Sequence, residues 1–269
     1  MNAQLEFGAC TDTGCVRESN EDSLGVAPEL ALFILSDGMG GLAFGEVASR
    51  LAVETVIRTC RQVDSAEQEY SASGISAESR QLASAICAAN ENIYRTAQTS
   101  GTDHQTGATI VAVRFMGERM SLAHVGDSRA YRLRNGQIEQ LTRDHSFVAE
   151  QMRQGRMTEQ EAGQSGLQNV LLRALGIGPD VEVDVTEELI LDDDTILLCS
   201  DGLTRELTDA QIAAVLDDCH DAQDAADQLV DMAKQAGGGD NITVLVLRRA
   251  AKPVGAFARI GKWLRQSGN

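Results

Sequence analysis

Residues 31–41 of the chain read ALFILSDGMGG, an apolar run that ends in an aspartate followed by glycines. The run has the length of a buried strand, and glycine lets the backbone beyond it approach another group closely. Asp37 is therefore a carboxylate at a strand end, where a sheet holds it rigidly and a ligand can reach it. Asp-Gly is also a common turn dipeptide, so one copy of this pattern alone favours an ordinary turn.

Three further aspartates lie in short glycine-containing turns beside apolar runs. Their contexts are Val125-Gly126-Asp127-Ser128-Arg129, Ser200-Asp201-Gly202 after the apolar residues 195–199, and Gly237-Gly238-Gly239-Asp240 before the apolar residues 242–247. Together with Asp37 they predict a shared cation site, because several rigid strand ends then offer oxygen ligands. Oxygen ligands without clustered histidine or cysteine favour Mg²⁺ or Mn²⁺ over zinc. The sequence therefore predicts a metalloenzyme.

The chain is strongly acidic. Its 269 residues include 23 Lys plus Arg against 40 Asp plus Glu, a formal net charge of −17. Such a body repels nucleic acid and anionic lipid, so we expect neither as its partner. It also repels phosphate unless bound cations reverse the local field, which links the charge balance to the predicted cation site.

Composition favours a single domain. Hydrophobic residues make up 43% of the chain, and no Pro- or Ser-rich linker divides it. The six cysteines form no Cys-x-x-Cys pair, the N-terminus has no signal pattern, and no stretch approaches the ~20 apolar residues of a membrane span. We expect a monomer in a reducing cytoplasm, with Cys60, Cys87 and Cys199 as reduced core thiols.

Hydrophobic periodicity separates helices from strands. The predicted helical segments are 53–60, 82–93, 145–155 and 209–236, the last broken near 219–221. The predicted strands are 108–115, 120–125, 129–133 and 137–141. Asn135-Gly136 predicts a tight hairpin between the last two strands. Helices grouped between blocks of hairpin strands predict antiparallel sheets covered by helices.

A charged cluster near the N-terminus completes the set of motifs. Residues 17–22 read Arg-Glu-Ser-Asn-Glu-Asp. With the four aspartate motifs, in this order between residues 7 and 247, the chain resembles the metal-dependent serine/threonine protein phosphatases of type 2C, the PPM family, in their compact bacterial form. The resemblance implies an α+β fold, an α-β-β-α sandwich of two stacked antiparallel sheets flanked by helices. It also implies that the metals lie in a channel at one end of the sandwich.

The resemblance implies that residues 1–249 form the phosphatase domain. Residues 146–169 match the family's mobile flap beside the channel, and the alternative for this segment is a surface helical insertion without a catalytic part. Residues 250–269 follow as a basic amphipathic tail. This tail is suited to a membrane surface or an acidic partner. The alternative, which we favour, is that the tail packs on the acidic body.

The resemblance assigns two Mn²⁺ or Mg²⁺ ions to the predicted cation site. Asp37 corresponds to the ligand that bridges them, and the Gly38 carbonyl serves the same pair. Asp201 and Asp240 correspond to the remaining direct ligands of one ion. Asp127, together with Asp201, matches the ligands of a third ion. The alternative for Asp127 is a turn aspartate paired with Arg129.

Residues 17–22 also match positions of the family's site. Glu21 and Asp22 resemble the pair that binds or orients metal-bound waters. Arg17 matches the phosphate-binding arginine, whose planar fork can grip two phosphate oxygens. The alternative for Arg17 is a surface ion pair with Glu18 or Glu21. Asn241, beside Asp240, is expected to pin its loop by hydrogen bonds.

Several positions depart from the family pattern. Bacterial relatives often carry a histidine where this chain has Leu42, and His-Pro where it has Ser165-Gly166. Met39 stands where many eukaryotic members place a histidine proposed as the general acid. No protonated side chain for the leaving alkoxide is evident, and a metal-bound water is the alternative source of that proton. His145 follows a family pattern and is predicted to be structural.

The resemblance implies metal-dependent hydrolysis of phosphoserine and phosphothreonine in proteins, by a metal-activated water in a binuclear centre. The expected substrates are phosphoproteins made by a bacterial Hanks-type kinase, which the enzyme opposes. The alternative is a non-catalytic module that binds phosphoproteins on the same scaffold. The retained carboxylates Asp37, Asp201 and Asp240 favour catalysis, since a decayed enzyme would lose its ligands first.

Overall fold

Two antiparallel sheets stack face to face in the computed structural model, which describes residues 5–40, 44–62, 74–100 and 107–249. In spatial order, the first sheet contains β1 (Leu5–Asp12), β11 (Ile242–Arg249), β10 (Thr195–Cys199), β7 (Arg129–Arg134) and β8 (Gln137–Gln140). The second contains β2 (Asp22–Ala27), β3 (Leu32–Met39), β5 (Ile110–Met116), β6 (Arg119–Val125) and β9 (Asp184–Leu189). The two-residue strand β4 (Gly107–Ala108) pairs with the end of β3.

Helices cover the outer face of each sheet. On the second sheet lie α1 (Phe44–Gln62) and α2 (Ala77–Ser100). On the first sheet lie α5 (Asp201–Thr204), α6 (Asp209–Asp218) and α7 (Ala222–Ala236). Two short helices, α3 (Phe147–Arg153) and α4 (Glu159–Gln164), lie in the connection from β8 to β9. The predicted α+β class and α-β-β-α sandwich are confirmed.

The apolar run in β3 explains why the layers stack. Successive side chains of a strand point to opposite faces, so an unbroken apolar run needs cover on both. Leu32 and Ile34 pack among the α1 and α2 side chains, whereas Phe33 and Leu35 pack between the two sheets. All four are at most 1% exposed. Burying each such side chain stabilises the fold by about 1.5–3 kcal/mol before conformational entropy is counted.

Most of the predicted elements are present. The predicted break in 209–236 separates α6 from α7, where the Asp221 carboxylate accepts hydrogen bonds from the N–H groups of Gln223 and Asp224. The predicted hairpin joins β7 to β8, and Asn135 and Gly136 have φ values of 52° and 73°, which suit its tight turn.

Several features differ from the sequence prediction. Strands β1, β2 and β9 are not among the predicted strands, because polar residues lie among their apolar ones and no continuous apolar run marks them. Cys87 is exposed on α2, while its neighbour Ile86 is buried, so the prediction of a core thiol is wrong there. Cys60 and Cys199 are buried as expected.

None of the helices in the described ranges is both long enough and apolar enough to cross a membrane. Leu42 and the predicted tail, residues 250–269, lie outside the described residues.

Candidate functional site

An acidic cavity of about 170 Å³ lies at one end of the sandwich, where β3, β6 and β10 end and β11 begins. Its charged lining residues are Glu21, Asp37, Asp127, Asp201, Asp240, Arg17 and Arg205. Gly38 lines it as well. The structure therefore brings together all of the predicted site residues except Asp22, which lies behind the cavity wall.

Asp37 is held at the end of β3 by its backbone. Its N–H donates to Thr109 Oγ1 at 3.0 Å, and its carbonyl accepts from the Thr109 N–H at 2.8 Å. Thr109 Oγ1 also pairs with Ser128 Oγ at 2.6 Å, and Thr109 is buried. These bonds fix the backbone from which the Asp37 carboxylate projects into the cavity.

Glycines allow β3 to approach α1 at the edge of the cavity. The Gly38 N–H donates to the Glu21 carbonyl at 3.1 Å. A Cβ at Gly38 would lie 2.1 Å from the Gly45 carbonyl oxygen, and one at Gly45 would lie 2.0 Å from Glu21 Oε2. Backbone atoms block any side chain at Gly38, whereas a side chain at Gly45 would displace the Glu21 carboxylate from its present position.

Asp22 is buried directly beside Asp37, its cross-strand partner in the pairing of β2 with β3. Its Oδ2 accepts from Ser200 Oγ at 2.9 Å. Its Oδ1 is buried and has no hydrogen-bond partner among the described residues. Burial raises the pKa of Asp22 to about 7, and the negative charges of Asp201 and Asp240 contribute to the same shift.

Asp201 lines the cavity from the first position of α5, and Asp240 lines it from the turn before β11. Asp240 Oδ1 accepts from the Asn241 N–H at 2.9 Å, and its Oδ2 accepts from Arg17 at 2.9 Å and from Arg205 at 3.1 Å. Asp201 Oδ2 pairs with Arg205, whereas its Oδ1 is buried without a hydrogen-bond partner among the described residues. Burial raises the pKa of Asp201, and the charge of Asp240 adds to the shift.

Asn241 ties the N-terminal loop to this end of the sheet. Its Nδ2 donates to the carbonyls of Thr13 and Ser19 at 3.0 and 2.9 Å, and its Oδ1 accepts from the Glu21 N–H at 2.9 Å. The loop it pins carries Arg17, whose guanidinium pairs with Asp240 rather than with Glu18 or Glu21. Asn241 thus has the structural role expected from the sequence.

Asp127 enters the cavity from the turn after β6. Gly126 has φ +107°, and its N–H donates to His145 Nδ1 at 3.1 Å. Burial raises the pKa of Asp127 to about 8, and the charges of Asp201 and Asp144 add to the shift. Arg129 is engaged by Asp144, with Nη2–Oδ2 at 2.7 Å and Nε–Oδ1 at 3.0 Å, so Asp127 is not paired with Arg129.

These carboxylates fit a hard divalent cation. Burial raises the pKa of Asp37 well above its usual range, and the charges of Asp22, Asp201 and Asp127 raise it further. Mutual repulsion of this kind is relieved by a cation, which binds the ionised forms. Asp22 Oδ1 and Asp201 Oδ1 supply buried oxygens without partners. The donor set is entirely oxygen, as Mg²⁺ and Mn²⁺ prefer.

A second cluster, His124, His145 and Asp184, lies behind the Asp127 turn, with ligand atoms within 4.8 Å of one another. The two imidazole rings are stacked at 4.7 Å and 20°, so their in-plane lone pairs run nearly parallel and do not converge on one ion. His124 Nε2 pairs with the Arg143 carbonyl at 2.9 Å, and His145 Nδ1 accepts from Gly126. The cluster therefore supports the turn, in agreement with the structural role predicted for His145.

A groove of about 500 Å³ adjoins the cavity and lies between α5 and residues 146–169. Side chains from α3 and α4, including Val148, Met152 and Ala162, line one wall. Asn169 lines both the groove and the cavity. The segment that matches the family's flap thus borders the site.

Sequence reasoning missed two residues of the site. Arg205 follows α5 and lines both the cavity and the groove, and the one sequence signal for it is its i,i+4 spacing from Asp201. Thr109 precedes an apolar run and reads as an ordinary strand residue. Only the pairing of β3 with its neighbours reveals that it braces Asp37.

Comparisons with known proteins agree with this geometry. The family model described as protein phosphatase 2C matches residues 16–236. The serine/threonine phosphatase Stp of Listeria innocua is 37% identical over 244 residues, which cover 89% of this chain and 94% of that protein. PstP of Mycobacterium tuberculosis is 36% identical over 242 residues, which cover 90% of this chain and 44% of that longer protein.

A solved structure shares the fold. The crystal structure of the catalytic domain of the serine/threonine phosphatase PstP, in complex with two manganese ions, matches with a TM-score of 0.80 and 33% identity. The match covers 92% of this chain and 99% of that one. The family resemblance predicted from the motifs is confirmed, and the chain belongs to the protein phosphatase 2C family.

Proposed function

We propose that the protein removes phosphate from phosphoserine and phosphothreonine in proteins, with Mn²⁺ or Mg²⁺ bound in the acidic cavity as a binuclear centre. The observation that carries the proposal is the convergence of Asp37, Asp127, Asp201 and Asp240 on one cavity. Like charges buried together are unfavourable without a cation. Membership of the family, and the two manganese ions in the related PstP structure, support the same assignment.

The carboxylates divide the task of holding the ions. Asp37, projecting from the rigid end of β3, would bridge the two ions, and the Gly38 carbonyl would serve the same pair. Asp201 and Asp240 would complete one ion's protein ligands, and Asp127 with Asp201 would hold a third ion. When bound, such ions lower the pKa of water and neutralise charge that develops on the phosphoryl oxygens.

The remaining residues position substrate and solvent. Arg17 projects from the loop pinned by Asn241 and binds the phosphate through its planar fork. Glu21 and Asp22 orient water at the site, Glu21 from the cavity wall and Asp22 from behind Asp37. No histidine lines the described cavity, where Met39 occupies the position of the family's candidate general acid. The leaving alkoxide therefore takes its proton from water.

We further propose the biological setting. The substrates are proteins phosphorylated by a bacterial Hanks-type kinase in the cytoplasm, and the enzyme acts as a monomer. The phosphatase domain comprises residues 1–249, and residues 146–169 act as a flap that shapes the adjoining groove. Nucleic acid is not a partner. The tail, residues 250–269, packs on the acidic body, with a membrane surface or an acidic partner as the alternative.

Hydrolysis of a phosphothreonine peptide, with and without Mn²⁺, tests the proposal. Turnover should vanish with a chelator and return with Mn²⁺ or Mg²⁺. Asp37→Asn should lower kcat by at least about 100-fold, equal to about 2.7 kcal/mol of lost transition-state stabilisation, and calorimetry should show weaker Mn²⁺ binding. Full activity of the metal-stripped enzyme would contradict the binuclear centre. Phosphopeptide binding without turnover in the Mn²⁺-loaded wild type would instead support the non-catalytic alternative.

A further inference from the structure

Arg205 lies where the acidic cavity meets the adjoining groove. It directly follows α5, and its side chain lines both spaces. One nitrogen of its guanidinium, Nη2, pairs with Asp201, and the other, Nη1, pairs with Asp240 Oδ2 at 3.1 Å. About a third of the side chain is exposed. Its charged end is therefore held at the mouth of the site, within reach of a ligand.

Arg17 reaches the same oxygen from the N-terminal loop, with Nη2 2.9 Å from Asp240 Oδ2. Since both guanidinium groups contact one carboxylate oxygen, their two nitrogens cannot be further apart than the sum of those two short distances. Two oxygens of a single phosphate, each accepting at ~2.8 Å, can bridge such a pair. The geometry thus places two planar forks around one position.

The distribution of charge also favours a phosphate between the two arginines. Arg17 and Arg205 are the basic side chains in the described lining of the cavity, which otherwise carries five acidic groups. The other arginine in the groove, Arg129, is engaged by both oxygens of Asp144 and by Tyr131. A phosphate dianion approaching the ions through the groove therefore meets Arg205, whose carboxylate partners, Asp201 and Asp240, are ones that the cations would share.

We propose that Arg205 is a second phosphate-binding residue, which grips the phosphoryl group together with Arg17. The proposal rests on the phosphatase function proposed above and adds a specific contact to it. Cations in the cavity share the carboxylate charge of Asp201 and Asp240, and this leaves the Arg205 fork free to donate to phosphate oxygens.

Calorimetric titration of inorganic phosphate into the Mn²⁺-loaded full-length protein tests this contact without requiring turnover. Arg205→Ala should weaken phosphate binding by about tenfold or more, as expected for lost charge-assisted hydrogen bonds. Arg205→Lys should restore only part of the affinity, because an ammonium keeps the charge but lacks the fork. The matched control is Arg95→Ala, which removes an exposed arginine paired with Glu91 at the same i,i+4 spacing on α2, outside the cavity.

A role in neutralising the carboxylates predicts a different pattern. Arg205→Ala would then change the affinity for Mn²⁺ and leave that for phosphate unaltered, and Arg205→Lys would behave as wild type. Either result would overturn the proposal, as would a wild-type protein that binds Mn²⁺ but no phosphate. The double variant with Arg17→Ala should lose less than the product of the two single losses if both residues hold one phosphate. Failure of the phosphatase function shows separately, as absent peptide hydrolysis by a wild type that binds phosphate normally.

Discussion

Gly38→Ala tests whether the close contact between β3 and α1 shapes the metal site. The added Cβ would lie 2.1 Å from the Gly45 carbonyl oxygen and 2.7 Å from the Glu21 carbonyl oxygen, both backbone atoms. Ordinary contact begins at 3.4 Å, so the two elements must separate by about 1.3 Å. Overpacking of this kind destabilises a fold by about 1–3 kcal/mol. For a chain of this size we expect the melting temperature to fall by about 5 °C.

The same displacement should impair catalysis more than stability, because it moves the Gly38 carbonyl and Asp37 together. A misplacement of ~1 Å at a reacting site can lower the rate by about 100-fold. Thermal melts and steady-state kinetics with saturating Mn²⁺ measure the two effects. Gly163→Ala is the stability control, because no heavy atom lies within 4 Å of a Cβ there and the residue is in α4. Wild-type melting and turnover in Gly38→Ala would refute the reasoning.

Three further predictions concern the supports of the site and the tail. Thr109→Val should lower the free energy of unfolding by about 1–3 kcal/mol, because the Asp37 N–H and Ser128 lose a buried partner. Calorimetry should also show weaker Mn²⁺ binding. If neither value changes, Thr109 does not brace Asp37. Burial lowers the pKa of His145 to about 4, whereas an unfolded histidine titrates near ~6.5. The unfolded chain therefore binds more protons between these values, and stability should fall by up to about 3 kcal/mol as pH falls through that window. In urea unfolding, the free energy of unfolding of His145→Gln should lack this loss between the two pKa values. The same dependence on pH in variant and wild type would contradict the prediction. Deleting residues 250–269 should lower the melting temperature without changing sedimentation with anionic liposomes; lost sedimentation at unchanged stability would favour the membrane surface.

The predicted ligands could be identified from the sequence because the position of each carboxylate depends on local structure. Asp37 and Asp201 each follow an apolar run after one serine, and Asp240 precedes one with Asn241 between, so a strand end and its carboxylate are close in sequence. The family resemblance supplied the arrangement in space. Their convergence on one cavity depends on the sheet order, which periodicity alone does not determine.

Residues whose roles depend on distant partners could not be predicted in this way. Arg205 contacts Asp240, which is far away in sequence, and its own neighbours give no indication of that contact. Asp22 is buried because it pairs with Asp37 across the strands and contacts Ser200. The hydrophilic sequence of residues 17–22 does not suggest this burial. Arg129 next to Asp127 suggested a local ion pair, but the antiparallel hairpin brings Asp144 to it instead.

The acidity of the chain and the carboxylates of its cavity both make phosphate binding depend on cations. A body with a formal net charge of −17 disfavours the approach of a phosphate dianion. The negative charge is densest at the cavity, where burial and mutual repulsion raise the pKa values of Asp22, Asp37 and Asp127. Cations relieve the repulsion and reverse the local field in the same step. Affinity for phosphate should therefore depend on Mn²⁺ even before any bond is broken, with the arginines at the mouth orienting a ligand that the ions attract.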